Sequence, residues 1–213
     1  NRHALYRVVK TAQYLKVYYR TVGIDVYTEG YVESCTVTNF GELVNGQISI
    51  ICPDPYWYST QSIYAYSQSV FGAFHFPFPE SDEPFPLGVY STDKTLSIFN
   101  SGEEVGILIT LEAASGEDVP NPVITTVTLY DDDTSTYFQL RLDILPGDKI
   151  IINTKQGQKS VTLVRDGVTT NIINCMTSGS TWFTLRKGLN RYRLSASKYI
   201  TATIQHTDAY LGV

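Results

Sequence analysis

Between residues 138 and 196 the chain alternates short β-branched and apolar runs with turn signals. The runs cover 150–153, 160–164, 168–174, 182–185 and 190–194. Pro146-Gly147-Asp148, Lys155-Gln156-Gly157-Gln158, Asp166-Gly167, Ser178-Gly179-Ser180 and Lys187-Gly188 punctuate them. Strands at this spacing predict an antiparallel sandwich or barrel. Further strands are expected at 96–99, 105–111, 123–129 and 137–143. In the second of these, Val105, Ile107, Ile109 and Leu111 share one face. Residues 116–122 read as a loop and 131–134 as a turn.

Before residue 60 the pattern is less regular. Residues 2–10 place Leu5, Val8 and Val9 at helical spacing, as at the end of a helix. Residues 14–19 alternate as a strand with Leu15, Val17 and Tyr19 on one face, and Gly23 breaks it. Strands are expected again at 24–27, 31–38 and 47–52, separated by turns at Glu29-Gly30 and Asn45-Gly46. The last ends in Cys52-Pro53-Asp54-Pro55-Tyr56-Trp57, where two prolines flanking Asp54 make a stiff exit from a sheet. A boundary placed there divides the chain into residues 1–58 and 59–213. Residues 59–69 read as a polar, tyrosine-rich connecting arm. Residues 71–78 suggest a proline-bearing edge strand, and 79–87 an acidic loop.

Composition supports this reading. Aromatics make up 13% of the 213 residues, 16 of them tyrosine, and charged residues only 17%. Thr, Ile, Val and Tyr are abundant, which favours strands over helices. No apolar run is long enough for a membrane-spanning helix, and no membrane partner is expected. The net charge of −5 is uneven. Residues 61–140 hold one basic and twelve acidic side chains, and 141–213 hold ten basic and four acidic. Either strands from the two segments interleave and the charges mix, or opposite-signed patches steer self-association. Nucleic acid is not an expected partner, because the balance is acidic and no basic stripe is interleaved with aromatics.

Candidate chemistry is sparse. Cys35, Cys52 and Cys175 are odd in number and lack paired spacing, which argues against a disulfide framework or zinc site and for small buried side chains. Such cysteines fit assembly in a reducing cytoplasm. Asp131-Asp132-Asp133 clusters oxygens but lacks the spaced ligands of a calcium loop, and reads as a hairpin tip. Asp54 reads as a turn residue. His3, His75 and His206 sit in no metal or nucleophile motif, and no P-loop or G-x-S-x-G is present. Glu103 and Glu104 are adjacent, so in a strand they would face opposite sides. No catalytic residue, cofactor site or metal site is assigned, and the chain is not read as an enzyme. Trp57 and Trp182 remain as weak sugar-stacking candidates.

Several short signatures occur in a fixed order. Gly30-Tyr31-Val32-Glu33 precedes the run from Gln47 through Cys52-Pro53-Asp54-Pro55-Tyr56. Val119-Pro120-Asn121-Pro122-Val123-Ile124, Leu145-Pro146-Gly147-Asp148-Lys149-Ile150 and Leu185-Arg186-Lys187-Gly188-Leu189-Asn190 follow, and Tyr210-Leu211-Gly212-Val213 closes the chain. Across nearly its whole length this set resembles the distal tail proteins of siphovirus-type bacteriophages and their prophage relatives.

The resemblance implies an all-β protein in which part of a β-rich, ring-forming N-terminal domain precedes a galectin-like jelly-roll sandwich. It implies a virion tail-tip component assembled in the bacterial host cytoplasm. The implied partners are copies of itself in a hexameric ring, the tail tube, the tail-tip hub and, in many members, receptor-binding proteins. Family members carry further residues before the position matched by Asn1, so the chain is expected to lack the first part of that domain. The galectin sugar site is not carried over, because Phe74-His75-Phe76-Pro77 has no Asn or Arg at the required spacing. A structural tail adaptor is therefore the leading reading, and a carbohydrate-binding β-sandwich module the alternative.

Overall fold

The computed structural model describes residues 7–40, 43–67, 70–72, 88–90 and 93–212. These fall into two units, one of residues 1–62 with 207–213 and one of residues 63–206. Nearly all regular structure in both is antiparallel β, as the periodicity and composition predict.

The first unit contains β1 (Tyr14–Thr21), β2 (Ile24–Phe40), β3 (Leu43–Ile51) and β4 (Trp57–Ser59). Val22 and Gly23 turn β1 into β2, with Gly23 at φ 98°, a conformation other residues resist. The turn expected at Glu29-Gly30 does not form, and β2 runs straight through it. Gly30 instead permits a close approach, since a Cβ there would lie 2.5 Å from the Ile51 carbonyl oxygen. Asn45-Gly46 is likewise not a turn but lies inside β3, opposite Thr38 and Val37. Extended pairing along β2 outweighs the local preference, and the hairpin reverses between Phe40 and Leu43.

β3 and β4 lie along the same edge of β2, with Ile51 opposite Tyr31 and Tyr58 opposite Tyr27. The proline segment between them is thus an excursion from one broken edge strand. Asp54 holds it as an Asx turn, accepting from the Tyr56 N–H at 3.2 Å and the Tyr58 hydroxyl at 2.5 Å.

The second unit is a two-sheet sandwich. Its strands begin with β5 (Ile63–Tyr66), inside the segment expected to be a connecting arm, then β6 (Val70–Gly72) and β7 (Gly88–Tyr90). The expected edge strand at 71–78 and the loop at 79–87 fall largely outside the described residues. β8 (Asp93–Asn100), β9 (Val105–Gly106), β10 (Leu108–Ala113), β11 (Ile124–Asp131), β12 (Thr136–Ile144) and β13 (Lys149–Asn153) follow. Then come β14 (Ser160–Arg165), β15 (Val168–Asn171), β16 (Thr184–Leu185), β17 (Gly188–Ser195) and β18 (Ile200–His206). One sheet has the order β15-β14-β13-β10-β18-β5, the other β12-β11-β17-β8. β19 (Ala209–Tyr210) returns to the first unit and pairs with β4.

Alternation puts one face of each sheet into a shared core. Ile109, Leu111, Ile150, Ile152, Val161, Ala202 and Ile204 come from the larger sheet, and Leu96, Ile98, Val127, Leu129, Phe138, Leu140, Tyr192 and Leu194 from the smaller. Two expected strands are shorter than their apolar runs. The run at 168–174 stops at Asn171, whose side chain accepts from the Ile173 N–H and opens a 3-10 turn at Ile173–Cys175. The run at 182–185 pairs only through Thr184 and Leu185. The residues before it bond to β12 through Thr177 N–H to the Gln139 carbonyl and Thr181 N–H to the Tyr137 carbonyl. They thereby cover an edge that would otherwise present unpaired backbone groups.

Several buried polar groups are satisfied by nearby backbone. Asn190 bridges Arg186 and Gly188, and Thr154 bonds both backbone groups of Ile107. The ammonium of Lys94 is buried and donates to the carbonyls of Ser197, Lys198 and Ile200, and burial holds its pKa below the ordinary lysine value. The acidic hairpin at 131–133 meets basic side chains of the same chain. Asp131 and Asp133 pair with Arg186, Asp133 with Arg191, and Asp132 with Arg193. Here the two charge-biased segments mix inside one sandwich. The three cysteines are free and half-buried, less enclosed than expected.

Asp148 is buried and accepts from Arg165 Nε and Nη2 and from the Leu145 N–H. Burial pushes its pKa up, but these donors outweigh it and hold the carboxyl below the ordinary range. Its stabilising contribution is therefore complete above the ordinary aspartate value of about 3.9 and is lost as pH falls through the lower folded value. Arg165→Met should destabilise the protein by about 1–3 kcal/mol at neutral pH by leaving a buried carboxylate short of partners. The difference should shrink below about pH 4 as Asp148 protonates. Urea midpoints of both proteins at neutral and acid pH check this.

Candidate interaction surface

The densest cluster of exposed chemistry lies on one face of the first unit's sheet. The β1–β2 register sets Tyr14 opposite Tyr31, Lys16 opposite Glu29, Tyr18 opposite Tyr27 and Arg20 opposite Asp25. Alternation puts all eight on the same side, and pairing of Tyr27 with Tyr58 extends the row to β4. The other side of β2 buries Val26, Thr28 and Val32. The sequence alternates tyrosine with charge along both strands because one register repeats tyrosine pairs and ion pairs every second residue.

The rings touch edge-on or tilted. Centroids are 5.2 Å apart for Tyr14–Tyr31, 6.0 Å for Tyr18–Tyr27 and 5.9 Å for Tyr27–Tyr58. Lys16 Nζ lies 3.4 Å from the Tyr27 ring centre and 3.3 Å from Glu29 Oε1. Arg20 bonds Asp25 at 3.0 Å and covers Tyr18. The Tyr14 hydroxyl donates to Glu29 Oε2. That bond pushes the Tyr14 pKa up to about 12 and, with Lys16, holds Glu29 below the ordinary glutamate value. Burial works against Lys16, but its bond to Glu29 and the nearby tyrosines leave its pKa raised. Burial and the bond to Asp54 raise Tyr58. This is a pre-ordered aromatic and ion-paired surface, suited to contact with another macromolecule.

The residues singled out from sequence are distributed over both units. Trp57, in the first unit, is half-buried with Tyr19 edge-on at 6.3 Å. Trp182, in the second, is half-buried against Phe138 at 5.3 Å, with Lys159 Nζ over its ring at 5.7 Å. The carboxylates of Asp131, Asp132 and Asp133 are occupied by arginines, and Asp131 also accepts from the N–H groups of Asp133 and Thr134. Among the described residues no three His, Cys, Asp or Glu side chains group as metal ligands. His206 is buried at the end of β18, while His3 and His75 lie outside the described residues. The tyrosine row was missed. Its signal, tyrosine and charge alternating through 14–20 and 25–31, was visible, but partners are assigned only by the register.

Residues 118–210 match a family model described as "Siphovirus-type tail component, C-terminal domain". Among solved structures, the chain is similar to one in "Structure of the Phage P2 Baseplate in its Activated Conformation with Ca", at 14% identity and TM-score 0.50, over 91% of this chain and 68% of that chain. A strontium-bound counterpart aligns at 14% identity and TM-score 0.49, with the same coverages. At such identity these likenesses concern the fold alone. No curated protein matches the chain.

If Glu29 anchors the row as described, Glu29→Gln should return the Tyr14 hydroxyl toward its ordinary value of about 10. A ¹³C NMR titration of the tyrosine Cζ resonances reads this directly. A Tyr14 titration unchanged by the substitution would refute the coupling.

Proposed function

We propose that this chain, whose residues 118–210 are a siphovirus-type tail component C-terminal domain, is a structural part of a bacteriophage or prophage tail tip. Its work is to hold surfaces in place. The first unit joins copies of the chain into a hexameric ring, and the second is displayed from that ring. The ring links the tail tube to the tail-tip hub and provides a mount for receptor-binding proteins.

The observation that carries the ring reading is the imbalance within the first unit. Its buried apolar side chains among the described residues are Val26, Val32 and Ala209, while Tyr14, Tyr18, Tyr31, Ile24, Ile48 and Ile51 are exposed. So small an apolar interior is marginal for an independent domain. Exposed aromatic and aliphatic side chains grouped on one sheet mark a contact surface. Beyond Val32, among the described residues, β2 pairs only with β3, and a two-stranded ribbon alone is weakly stable in water. A neighbouring copy would supply the missing support. The second unit carries its own continuous core and needs no such completion.

Mass measurement in solution on the full-length protein tests the proposal. A six-fold species is expected, and Tyr18→Asp with Tyr31→Asp should shift it to monomer without lowering the melting temperature of the sandwich. A full-length protein that stays monomeric, or a ring indifferent to both substitutions, would overturn this assignment of the tyrosine row.

A further inference from the structure

One exposed aromatic pair belongs neither to the first unit nor to the sandwich core. Tyr64 and Tyr66 stand two residues apart on β5, the edge strand of the six-stranded sheet, and are 50% and 68% exposed. Their rings are nearly parallel, at 15°, with centroids 6.4 Å apart. Ala65 between them is buried, so both tyrosines face away from the core. Exposed rings on an outer face contribute little to folding, and fixing two in parallel holds apolar surface ready for a ligand.

The register places polar groups beside them. Gln205 of β18 lies directly opposite Tyr64 and Thr203 opposite Tyr66, which brings paired Cβ atoms to about 5 Å. In the next strand Leu108 lies opposite Gln205 and Thr110 opposite Thr203. Among the described residues, the side chains of Gln205 and Thr203 and the two tyrosine hydroxyls have no hydrogen-bond partner. Among the described residues the patch therefore combines flat apolar rings with uncommitted amide and hydroxyl groups, and no charged side chain on this face of β5, β18 and β10 is left unpaired. Its closest ionic groups along these strands, Glu112 and Lys149, neutralise each other at 2.8 Å.

From this arrangement we infer that Tyr64, Tyr66, Thr203 and Gln205 form a platform for a neutral polysaccharide. A sugar ring offers axial C–H groups to an aromatic face and hydroxyls to neighbouring amides and hydroxyls, the two features juxtaposed here. A protein partner would call for a larger apolar centre, and an anionic polymer for uncompensated Lys or Arg. This site uses neither Trp57 nor Trp182, and it does not depend on ring formation.

The test uses the full-length protein with cellohexaose, maltohexaose and a neutral rhamnose-based hexasaccharide, followed by ¹⁵N NMR shifts and calorimetry. At least one should bind and shift the amides of residues 64–66 and 203–205. Tyr64→Ala with Tyr66→Ala should weaken binding about tenfold or more. Gln205→Ala should weaken it less. Because both tyrosines are exposed, the melting temperature of the double variant should change little, which separates lost binding from lost folding. Failure of every neutral oligosaccharide to bind, binding unaffected by the double substitution, or binding only of an anionic polymer such as polyglycerol phosphate would each overturn the inference. Loss of the oligomer in the double variant would also overturn it, by identifying the patch as a protein contact.

Discussion

Burial of one face of each sheet against the other is the constraint on which residues 63–206 depend. In a strand, parity decides everything: a slip of one residue would expose the apolar set and drive Thr, Gln and Lys into a dry interior. β18 shows the demand clearly. Ile200, Ala202 and Ile204 are buried, while Thr201, Thr203 and Gln205 point outward. Because β18 lies between β10 and β5, its register also sets which residues of its neighbours share the outer face. The outward position of the β5 tyrosines follows from that register, because Ala65 between them is in the core.

Such a core leaves polar groups to satisfy where strands end and connections turn inward. The protein does this with short side chains that reach nearby backbone. Asn100 bonds Gly102, Glu103 and Leu185, and Asp148 fixes the turn before β13 while holding Arg165. Lys94 is the unusual member, an ammonium enclosed by three carbonyls that organises the residues leading into β18. Each of these groups is costly to bury alone and tolerable with its partners. They act as joints between β segments, and none converges with a second reactive group in the manner of an active site.

The two units differ in how complete they are. The sandwich closes its own core, whereas the first unit presents a long hairpin and a row of tyrosines interleaved with ion pairs. One unit carries a continuous apolar core, and the other leaves many of its apolar side chains exposed. The ion pairs bridge neighbouring strands between the tyrosines, which supply apolar area with few rotatable bonds.

Much of this architecture was legible in the residues. Short β-rich runs at 150–153 and 160–164 announced β13 and β14, and Gly147, Gly157, Gly167 and Gly188 adopt positive φ at the expected breaks. Local signals failed where distant pairing was stronger. Glu29-Gly30 and Asn45-Gly46 have the chemistry of turns, yet both lie within strands because β2 pairs along its length with β1 and β3. The run from 182 stops short because the chain before it is needed along the edge of β12.

Sequence alone determined that the chain is all-β and where most strands lie, because periodicity and turn chemistry are local. Tertiary structure decided which tyrosines share a face, that the Asp131–Asp133 carboxylates are held by arginines, and that an aromatic pair stands exposed beside Gln205. Those are matters of register between strands far apart in the chain, which no local pattern encodes.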